Sequence, residues 1–461
     1  MLATGLVALD STIIATAVPS IVDDLGGFSQ FPWLFSAFLL TQAVSTPVYG
    51  RLSDVLGRKP VMLAGMGLFL LGSVLCAVAW SMPALIVFRA LQGLGAGAVL
   101  PMSNTIAGDV YTLEERAKVQ GYLASVWGIS SVLGPTLGGL LSQYAGWPWI
   151  FWVNIPLGLV AITVLVRTFS EDVERTRGAI DYTGAALLTA GCSLLIVGLL
   201  EGGQSWAWSS LPSAATLAGG VVLLAVFVAQ ERRAAAPILP LWVFTRRVLV
   251  ASSLTSVAVG AILLGLTSYV PTFAQGVLGA GPVAAGFALA TLTLGWPLAA
   301  AVSGRLYLPL GFRVTALIGS AFAVTGAVLV VVVAGAQSLV LLAAACFLIG
   351  VGLGLVASPT LIAAQASVGW AERGVVTGSN LFARSLGSAV AVAAFGAVAN
   401  GVLDGAQPRG PALADASTAV FTGVAIAAVA MVAAVAFMPG RSTHAYAGLG
   451  PAPTAPPPDQ E

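Results

Sequence analysis

Long apolar stretches separated by short polar loops dominate the chain. An apolar stretch of about 20 residues is long enough to cross the ~30 Å hydrocarbon core of a bilayer as a helix. The pattern predicts fourteen such helices, at residues 2–21, 31–50, 60–80, 84–104, 119–141, 149–167, 180–200, 212–229, 248–271, 283–304, 314–335, 338–358, 375–398 and 416–438. We therefore predict an all-α polytopic membrane protein.

The basic residues of the loops support this count and predict the orientation of the helices, because Lys and Arg concentrate in cytoplasmic loops. With a cytoplasmic N-terminus, Arg409 falls outside and Arg89 and Arg384 fall within spans. The remaining sixteen of the 19 basic residues fall in cytoplasmic segments: Arg51, Arg58, Lys59, Arg116, Lys118, Arg167, Arg175, Arg177, Arg232, Arg233, Arg246, Arg247, Arg305, Arg313, Arg373 and Arg441. We expect a multi-pass protein of the inner (plasma) membrane with both termini in the cytoplasm.

Composition agrees with a chain that folds in lipid. Hydrophobic residues make up 58% of the sequence and charged residues only 8%, whereas a soluble domain carries roughly 25% charged residues. The 54 glycines fit closely packed transmembrane helices. A net charge of +1 gives no indication of a nucleic-acid partner.

The chemistry-bearing residues argue against an enzyme. The three cysteines lie far apart in apolar runs and His444 is the single histidine, so neither a metal site nor a disulfide framework is indicated. The spans contain no carboxylate pair and no nucleophile with a base. A GxxxxGK[ST] loop, which a nucleotide-driven pump needs, does not occur. We expect no cofactor.

The ends of the chain differ in character. No basic segment precedes the first apolar stretch, so this stretch is not a signal peptide, and we expect a short cytoplasmic leader upstream of Met1. The last residues read PAPTAPPPDQE, and this proline-rich composition predicts a disordered cytoplasmic tail over 439–461.

An internal repeat divides the chain. GRLSDVLGRK at 50–59 and GRLYLPLGFR at 304–313 share Gly, Arg, Leu, Leu and Gly, and each follows the second helix of a six-helix half. Their separation leaves room for two extra helices. We therefore predict a six-helix bundle over 1–167, an inserted helix pair with its loops over 168–247, and a second six-helix bundle over 248–438. Parallel halves of this kind place the substrate site between them.

Four segments carry a resemblance to a known family: LDSTIIATAVPSI (9–21), GRLSDVLGRKPVML (50–63), RALQGLGAGAVLP (89–101) and GPTLGG (134–139). Together they resemble the major facilitator superfamily, and more closely its fourteen-helix drug:proton antiporter branch. WPWIFWVNIPLG (147–158) is also similar to that branch, although Pro148 stands where family members usually have Arg. The resemblance covers nearly the whole chain.

Asp10 and Arg89 are the candidates for proton coupling. Asp10 lies about 15 Å along the first helix and so near mid-membrane, where an ionisable residue is costly and is a functional-site hypothesis by default. The alternative is an Asp that only hydrogen-bonds a neighbouring helix. The motif that begins at Arg89 resembles the one linked in the family to proton coupling, and Asp10 is the natural partner of this arginine.

The loop motif at 50–63 predicts a conformational latch. Glycines permit its tight turn, and a carboxylate at Asp54 can accept hydrogen bonds from a helix N-terminus or a nearby arginine. Its basic residues also serve topology. The second copy has Leu308 in place of Asp54, so the latch is expected to be asymmetric. The latch residues are Gly50, Asp54, Gly57, Arg58 and Lys59.

The GPTLGG segment resembles the antiporter signature of the family. Glycines give a smooth face for close helix packing, and a proline bends the helix. Generic small-residue packing is the alternative. In the family this motif separates exporters from importers, so the resemblance implies efflux. The residues of the motif are Gly134, Pro135, Gly138 and Gly139.

Aromatic and polar residues of the central helices are candidates for the substrate cavity, which should be apolar with few polar anchors. Each could equally face lipid or pack between helices. The second bundle has no carboxylate well inside a span, which points to neutral, anionic or singly charged substrates. The candidates are Trp33, Gln42, Trp127, Tyr269, Phe273, Trp296, Asn380 and Arg384.

These observations predict a monomeric secondary exporter, driven by the proton gradient, for small lipophilic compounds or drugs. An exporter of a specific lipid or of an endogenous metabolite, such as a self-made antibiotic, is the alternative. The sequence does not decide between them.

Overall fold

The structure, a computed structural model, describes residues 1–26, 33–171, 181–202, 206–234, 237, 239–336, 338–403 and 410–440. The predicted tail beyond residue 440 and the loop arginines Arg175, Arg177, Arg409 and Arg441 lie outside these ranges. The described residues form fifteen α-helices: α1 Leu2–Leu25, α2 Trp33–Leu56, α3 Arg58–Ala77, α4 Met82–Val110, α5 Leu113–Tyr144, α6 Trp149–Trp152, α7 Asn154–Thr168, α8 Tyr182–Glu201, α9 Leu211–Glu231, α10 Arg247–Gly276, α11 Pro282–Leu310, α12 Phe312–Ala336, α13 Leu339–Ala366, α14 Arg373–Leu403 and α15 Gly410–Ala436.

The all-α prediction is confirmed, whereas the count of fourteen spans is not. In the described part of the chain, eleven helices are long and apolar enough to cross a membrane, with α6 and α7 counted together as Trp149–Thr168. Three further long helices, α1, α2 and α5, have 24, 24 and 32 residues and are not among these eleven. The count of fourteen stays a prediction.

Several helices extend beyond the predicted apolar spans. Helix α5 begins at Leu113 rather than at residue 119, because Thr112 and Glu115 form a capping box in the polar segment before the span. Such a box satisfies the free N–H groups of the first turn. Hydropathy detects the part of a helix that is apolar, so it misses polar turns of this kind.

Two groups of helices repeat one packing arrangement. In α1–α7, which we call the N-terminal bundle, α1 packs on α5 and α7, α3 on α4 and α7, and α2 on α4. In α10–α15, the C-terminal bundle, α10 packs on α14 and α15, α12 on α13 and α15, and α11 on α13. The pairs correspond one to one when α7 is matched with α15, as expected for a parallel repeat.

The turn of the loop motif also repeats. Gly57 separates α2 from α3 and has φ 96°, and Gly311 separates α11 from α12 and has φ 88°. Both angles fall in the left-handed region that residues with a Cβ rarely adopt. The two glycines occupy the same position in the aligned decapeptides, so the sequence repeat corresponds to a repeat of backbone geometry.

The two bundles meet along two seams, α2 against α14 and α5 against α11. The inserted pair, α8 and α9, packs on itself and lies against α2 and α14. A cluster of buried apolar residues, including Leu188 and Phe227 of the pair with Val44 and Ala389 of the seam, joins them. The exact domain boundaries remain a prediction.

Candidate functional site

A buried ion pair lies at the centre of the N-terminal bundle. Nη1 of Arg89, on α4, is 2.7 Å from Oδ2 of Asp10, on α1. Both side chains are only 1% exposed. The structure therefore brings together the two residues that the sequence analysis placed within spans.

Two amides complete the set of donors around the Asp10 carboxylate. Oδ1 of Asp10 accepts hydrogen bonds from Nε2 of Gln92 at 2.9 Å and from Nδ2 of Asn154 at 2.7 Å. The Ser73 hydroxyl accepts from the same two amides, at 2.7 and 3.3 Å. The carboxylate thus has one guanidinium and two amide donors around it, and the bond to the guanidinium is charge-assisted.

Arg89 is equally well held. Its Nε donates to the carbonyl of Leu34 at 3.1 Å, and its Nη1 donates to Oε1 of Gln92 at 2.6 Å. The guanidinium lies 4.2 Å from the ring centre of Phe38 and 6.0 Å from that of Phe151. Aromatic faces attract a cation and keep water away from it, so the pair sits in dry surroundings.

Sequence reasoning missed the amide partners of this pair. Gln92 lies in the fourth-helix motif and Asn154 in the segment at 147–158, so both were within quoted segments. The sequence feature that could have identified them is that each is a polar side chain in an apolar helix. Such a side chain is expected to bond to another polar group.

A second charged cluster joins the two bundles at the end that carries the loop motif. The Asp54 carboxylate, at the end of α2, accepts hydrogen bonds from the backbone N–H groups of Gly374 and Val375, at 2.9 and 2.8 Å. These groups belong to the first turn of α14, where free N–H groups and the helix dipole favour an anion. Arg58 lies 3.0 Å from the same carboxylate.

Arg58 extends this contact across the seam. It donates to the carbonyl of Trp370 at 2.6 Å, and its guanidinium lies 3.8 Å from the indole centre. It also contacts Asp109 at 3.1 Å, and Arg373 contacts the other oxygen of Asp109 at 2.8 Å. The sequence analysis did not foresee Asp109, Trp370 and Arg373 in this cluster, because all three lie far in sequence from the loop motif.

The remaining latch residues shape the turn. A Cβ on Gly50 would lie 2.6 Å from the carbonyl oxygen of Gly374, so only glycine allows α2 and α14 to approach this closely. The backbone N–H groups of Arg58 and Lys59 each donate to the Glu171 carboxylate at 2.9 Å. Glu171 thereby caps the start of α3.

The second seam is held differently. Tyr307, beside Leu308 in the second motif copy, donates a hydrogen bond to the carbonyl of Leu113 at the start of α5. Its ring stacks on Phe312 with 4.8 Å between centres. The corresponding ends of the two seams therefore use a carboxylate in one case and a neutral phenol in the other.

The GPTLGG segment packs close to Asp10. A Cβ on Gly134 would lie 2.0 Å from Oγ1 of Thr12, two residues after Asp10. Oγ1 of Thr12 donates to the carbonyl of Ser130 at 2.8 Å. Gly138 is buried and Gly139 has open space beside it, while the side chain of Pro135 lies outside the described atoms. The link between this motif and efflux stays a prediction.

Packing between helices accounts for two of the cavity candidates. Phe273 is fully buried and contacts Phe421 edge to face, with ring centres 5.6 Å apart. Asn380 is buried and hydrogen-bonds the hydroxyls of Ser252 at 2.7 Å and Ser256 at 2.9 Å.

The other six candidates retain some exposure. The hydroxyl of Tyr269 donates to the carbonyl of Phe395 at 3.4 Å, and the Arg384 guanidinium lies 5.7 Å from the indole centre of Trp296. Trp127 is 36% exposed, and Trp33 and Gln42 are partly buried. Their roles as substrate contacts stay predictions. Among the described residues, no three His, Cys, Asp or Glu side chains are placed to hold a metal ion.

Comparison with known proteins agrees with this architecture. Residues 1–392 match the Major Facilitator Superfamily. The chain is 33% identical to the multidrug transporter protein MdtP of Bacillus subtilis over 406 residues, which cover 87% of this chain and 75% of that protein. It is also 33% identical to multidrug resistance protein 3 of the same organism, over 86% of this chain and 77% of that protein.

A solved structure shows the same fold. The human organic anion transporter MFSD10 (TETRAN) superposes with a TM-score of 0.68 over 94% of this chain and 97% of its own. Sequence identity is 18%, so this similarity shows the fold alone.

Proposed function

Because the chain belongs to the major facilitator superfamily, we propose that it expels small lipophilic compounds across the inner membrane in exchange for protons. The superfamily consists of multi-pass membrane transporters rather than enzymes, and relatives at 33% identity are multidrug transporters. Export, proton coupling and the cytoplasmic location of both termini are the parts that we propose.

The buried Asp10–Arg89 pair is the observation that carries the proposal. An isolated ionised side chain in a membrane interior is costly and marks a functional site. Within the described residues of α1–α7, this pair is the one ion pair placed well away from the helix ends. The carboxylate is thus a suitable place to hold a proton in one state of the cycle and to release it in another.

The geometry indicates what protonation must do. A proton on Asp10 removes its charge and one acceptor site, so Arg89 loses its counter-ion in a dry environment. An unpaired buried charge is unfavourable by several kcal/mol. Proton binding therefore favours a rearrangement of α1 against α4 that gives Arg89 water or another partner, and that rearrangement is the coupling step.

The latch controls the second step of the transport cycle, the opening of the bundles at the loop-motif end. In this structure Asp54, Arg58 and Asp109 join α2 and α4 to the start of α14, so the bundles are closed at the loop-motif end. Opening that end requires these charge-assisted bonds to break. Each proton that moves down a 100 mV potential supplies about 2.3 kcal/mol, which is comparable to the net value of one such bond.

Transport by purified protein in proteoliposomes, with an imposed pH gradient, tests the proposal. The panel should contain cationic and anionic dyes, antibiotics and fluorescent lipids. We expect at least one dye or antibiotic to accumulate against its gradient, and a protonophore to abolish that accumulation. Movement of lipids alone would favour the lipid-exporter alternative. Accumulation that is insensitive to the protonophore would refute proton exchange.

A further inference from the structure

The second intramembrane arginine lies well inside a helix of the C-terminal bundle. Arg384 is eleven residues after Arg373, the start of α14, and therefore about 16 Å along that helix from the latch. Its guanidinium lies 5.7 Å from the indole centre of Trp296, on α11. The side chain thus reaches from one helix of the C-terminal bundle to another.

The seams show which face of the bundle this contact occupies. Helix α14 packs on α2 of the N-terminal bundle, and α11 packs on α5 of the same bundle. A side chain that extends from α14 to α11 therefore crosses the face between the two seams. That face is directed at the N-terminal bundle, where transporters with parallel halves bind their substrates.

Arg384 has no anionic partner in the described part of the chain. None of the five ion pairs found there includes it, and its buried Nε has no hydrogen-bond partner. A guanidinium at membrane depth normally pairs with a carboxylate, a carbonyl or water. In contrast to Arg89, the interaction that the structure shows for this guanidinium is with an aromatic ring, that of Trp296.

We propose that Arg384 and Trp296 form the binding site for an amphipathic organic anion, such as an aromatic sulfonate or carboxylate. This inference rests on the proposed export function and names its substrate class. The ligand supplies the negative charge that the protein omits, and the planar guanidinium matches two oxygens of a carboxylate or sulfonate. The indole provides a face on which an aromatic ring stacks.

The same chemistry disfavours other ligands. An organic cation would be repelled by the unpaired guanidinium, and the described residues of α10–α15 place no carboxylate beside Arg384 to offset that repulsion. A neutral analogue would occupy the aromatic face and leave the charge unpaired. The site should therefore select the anion over a neutral compound of the same shape.

Equilibrium binding of naphthalene-1-sulfonate and of neutral naphthalene-1-sulfonamide to proteoliposomes tests the site, with protein-free liposomes subtracted and no pH gradient. Wild-type protein should bind the sulfonate at least about tenfold more tightly, the ratio that one charge-assisted contact gives. Arg384→Gln should remove this preference and leave sulfonamide binding within about twofold. Arg384→Lys should restore part of it, because it keeps the charge without the planar fork.

Two variants control for indirect effects. Arg305→Gln removes the same charge from an exposed position on α11 and should leave both ligands unaffected. Trp296→Leu should weaken sulfonate and sulfonamide alike. Equal binding of the two compounds by wild-type protein would overturn the proposal, and so would unchanged sulfonate binding by Arg384→Gln with a wild-type midpoint of thermal unfolding.

The outcome is separable from that of the proposed function. Selective sulfonate binding without proton-driven transport would leave the site standing and refute the exchange mechanism. Proton-driven transport by a protein that binds both compounds equally would refute the anion site alone.

Discussion

The N-terminal bundle and the C-terminal bundle each have one arginine well inside a helix, Arg89 on α4 and Arg384 on α14, in very different surroundings. Arg89 is held by Asp10, by Gln92 and by a backbone carbonyl. Arg384 has an indole beside it and no ion-pair partner among the described residues. The two bundles repeat their helix packing but not their chemistry.

This difference assigns the two arginines different roles in the proposed mechanism. A cation that is fully neutralised by the protein can respond only when its partner is protonated, which suits proton coupling. A cation that the protein leaves unpaired is available to a ligand from outside, which suits substrate binding. The seams follow the same trend, since Asp54 holds one with charge and Tyr307 holds the other with a neutral hydrogen bond.

The largest expected effect concerns the stability of the two arginine sites. Arg89→Met leaves the Asp10 carboxylate buried without its counter-ion, and breaking such a pair costs about 3–5 kcal/mol. Arg384→Met removes an unpaired charge and should leave the fold as stable or more stable. Thermal unfolding of both variants in the same detergent measures the contrast. A similar loss in both would show that Arg384 also has a stabilising partner.

The next effect concerns the charged seam. Asp54→Asn keeps the shape of the side chain but loses the charge that faces Arg58 and the start of α14. If the closed latch loses about 1.4 kcal/mol of stabilisation, a rate or population that depends on it changes about tenfold. We expect substrate turnover in proteoliposomes to fall by about that factor while thermal stability stays close to wild type. Wild-type turnover would show that the motif serves topology only.

The smallest effect concerns the neutral seam. Tyr307→Phe removes one hydrogen bond to the carbonyl of Leu113 and keeps the ring stacked on Phe312. A neutral hydrogen bond contributes about 0.5–1.5 kcal/mol, so turnover should change less than in Asp54→Asn. The two variants should be assayed side by side. A larger loss in Tyr307→Phe would mean that the second seam, and not the first, is the latch.

Much of the fold could be predicted because a bilayer imposes a simple rule. Helices that cross it must be apolar over about 20 residues, and the pattern shows this directly. The repeat at Gly57 and Gly311 was visible because a tight turn requires glycine there. The contact of Asp10 with Arg89 could be predicted because few other charged residues occur within spans.

The rest depended on three-dimensional neighbours. Asp109 of α4 meets Arg373 of α14, and Arg58 meets Trp370, and no local pattern indicates either contact. Phe273 could not be separated from cavity residues, because lipid, helix contacts and an apolar cavity all accept an aromatic side chain. Hydropathy also missed the polar first turn of α5, which the capping box at Thr112 stabilises.

The most direct measurement is the accumulation of substrate in inverted membrane vesicles, with and without a pH gradient, by Asp10→Asn. Asn keeps the size of the side chain but cannot titrate, and Asp23→Asn makes the same change at an exposed position on the same helix. If Asp10 is the proton site, Asp10→Asn loses uphill accumulation but retains downhill exchange, whereas Asp23→Asn behaves as wild type. Accumulation by Asp10→Asn in response to the gradient would mean that the proton site lies elsewhere.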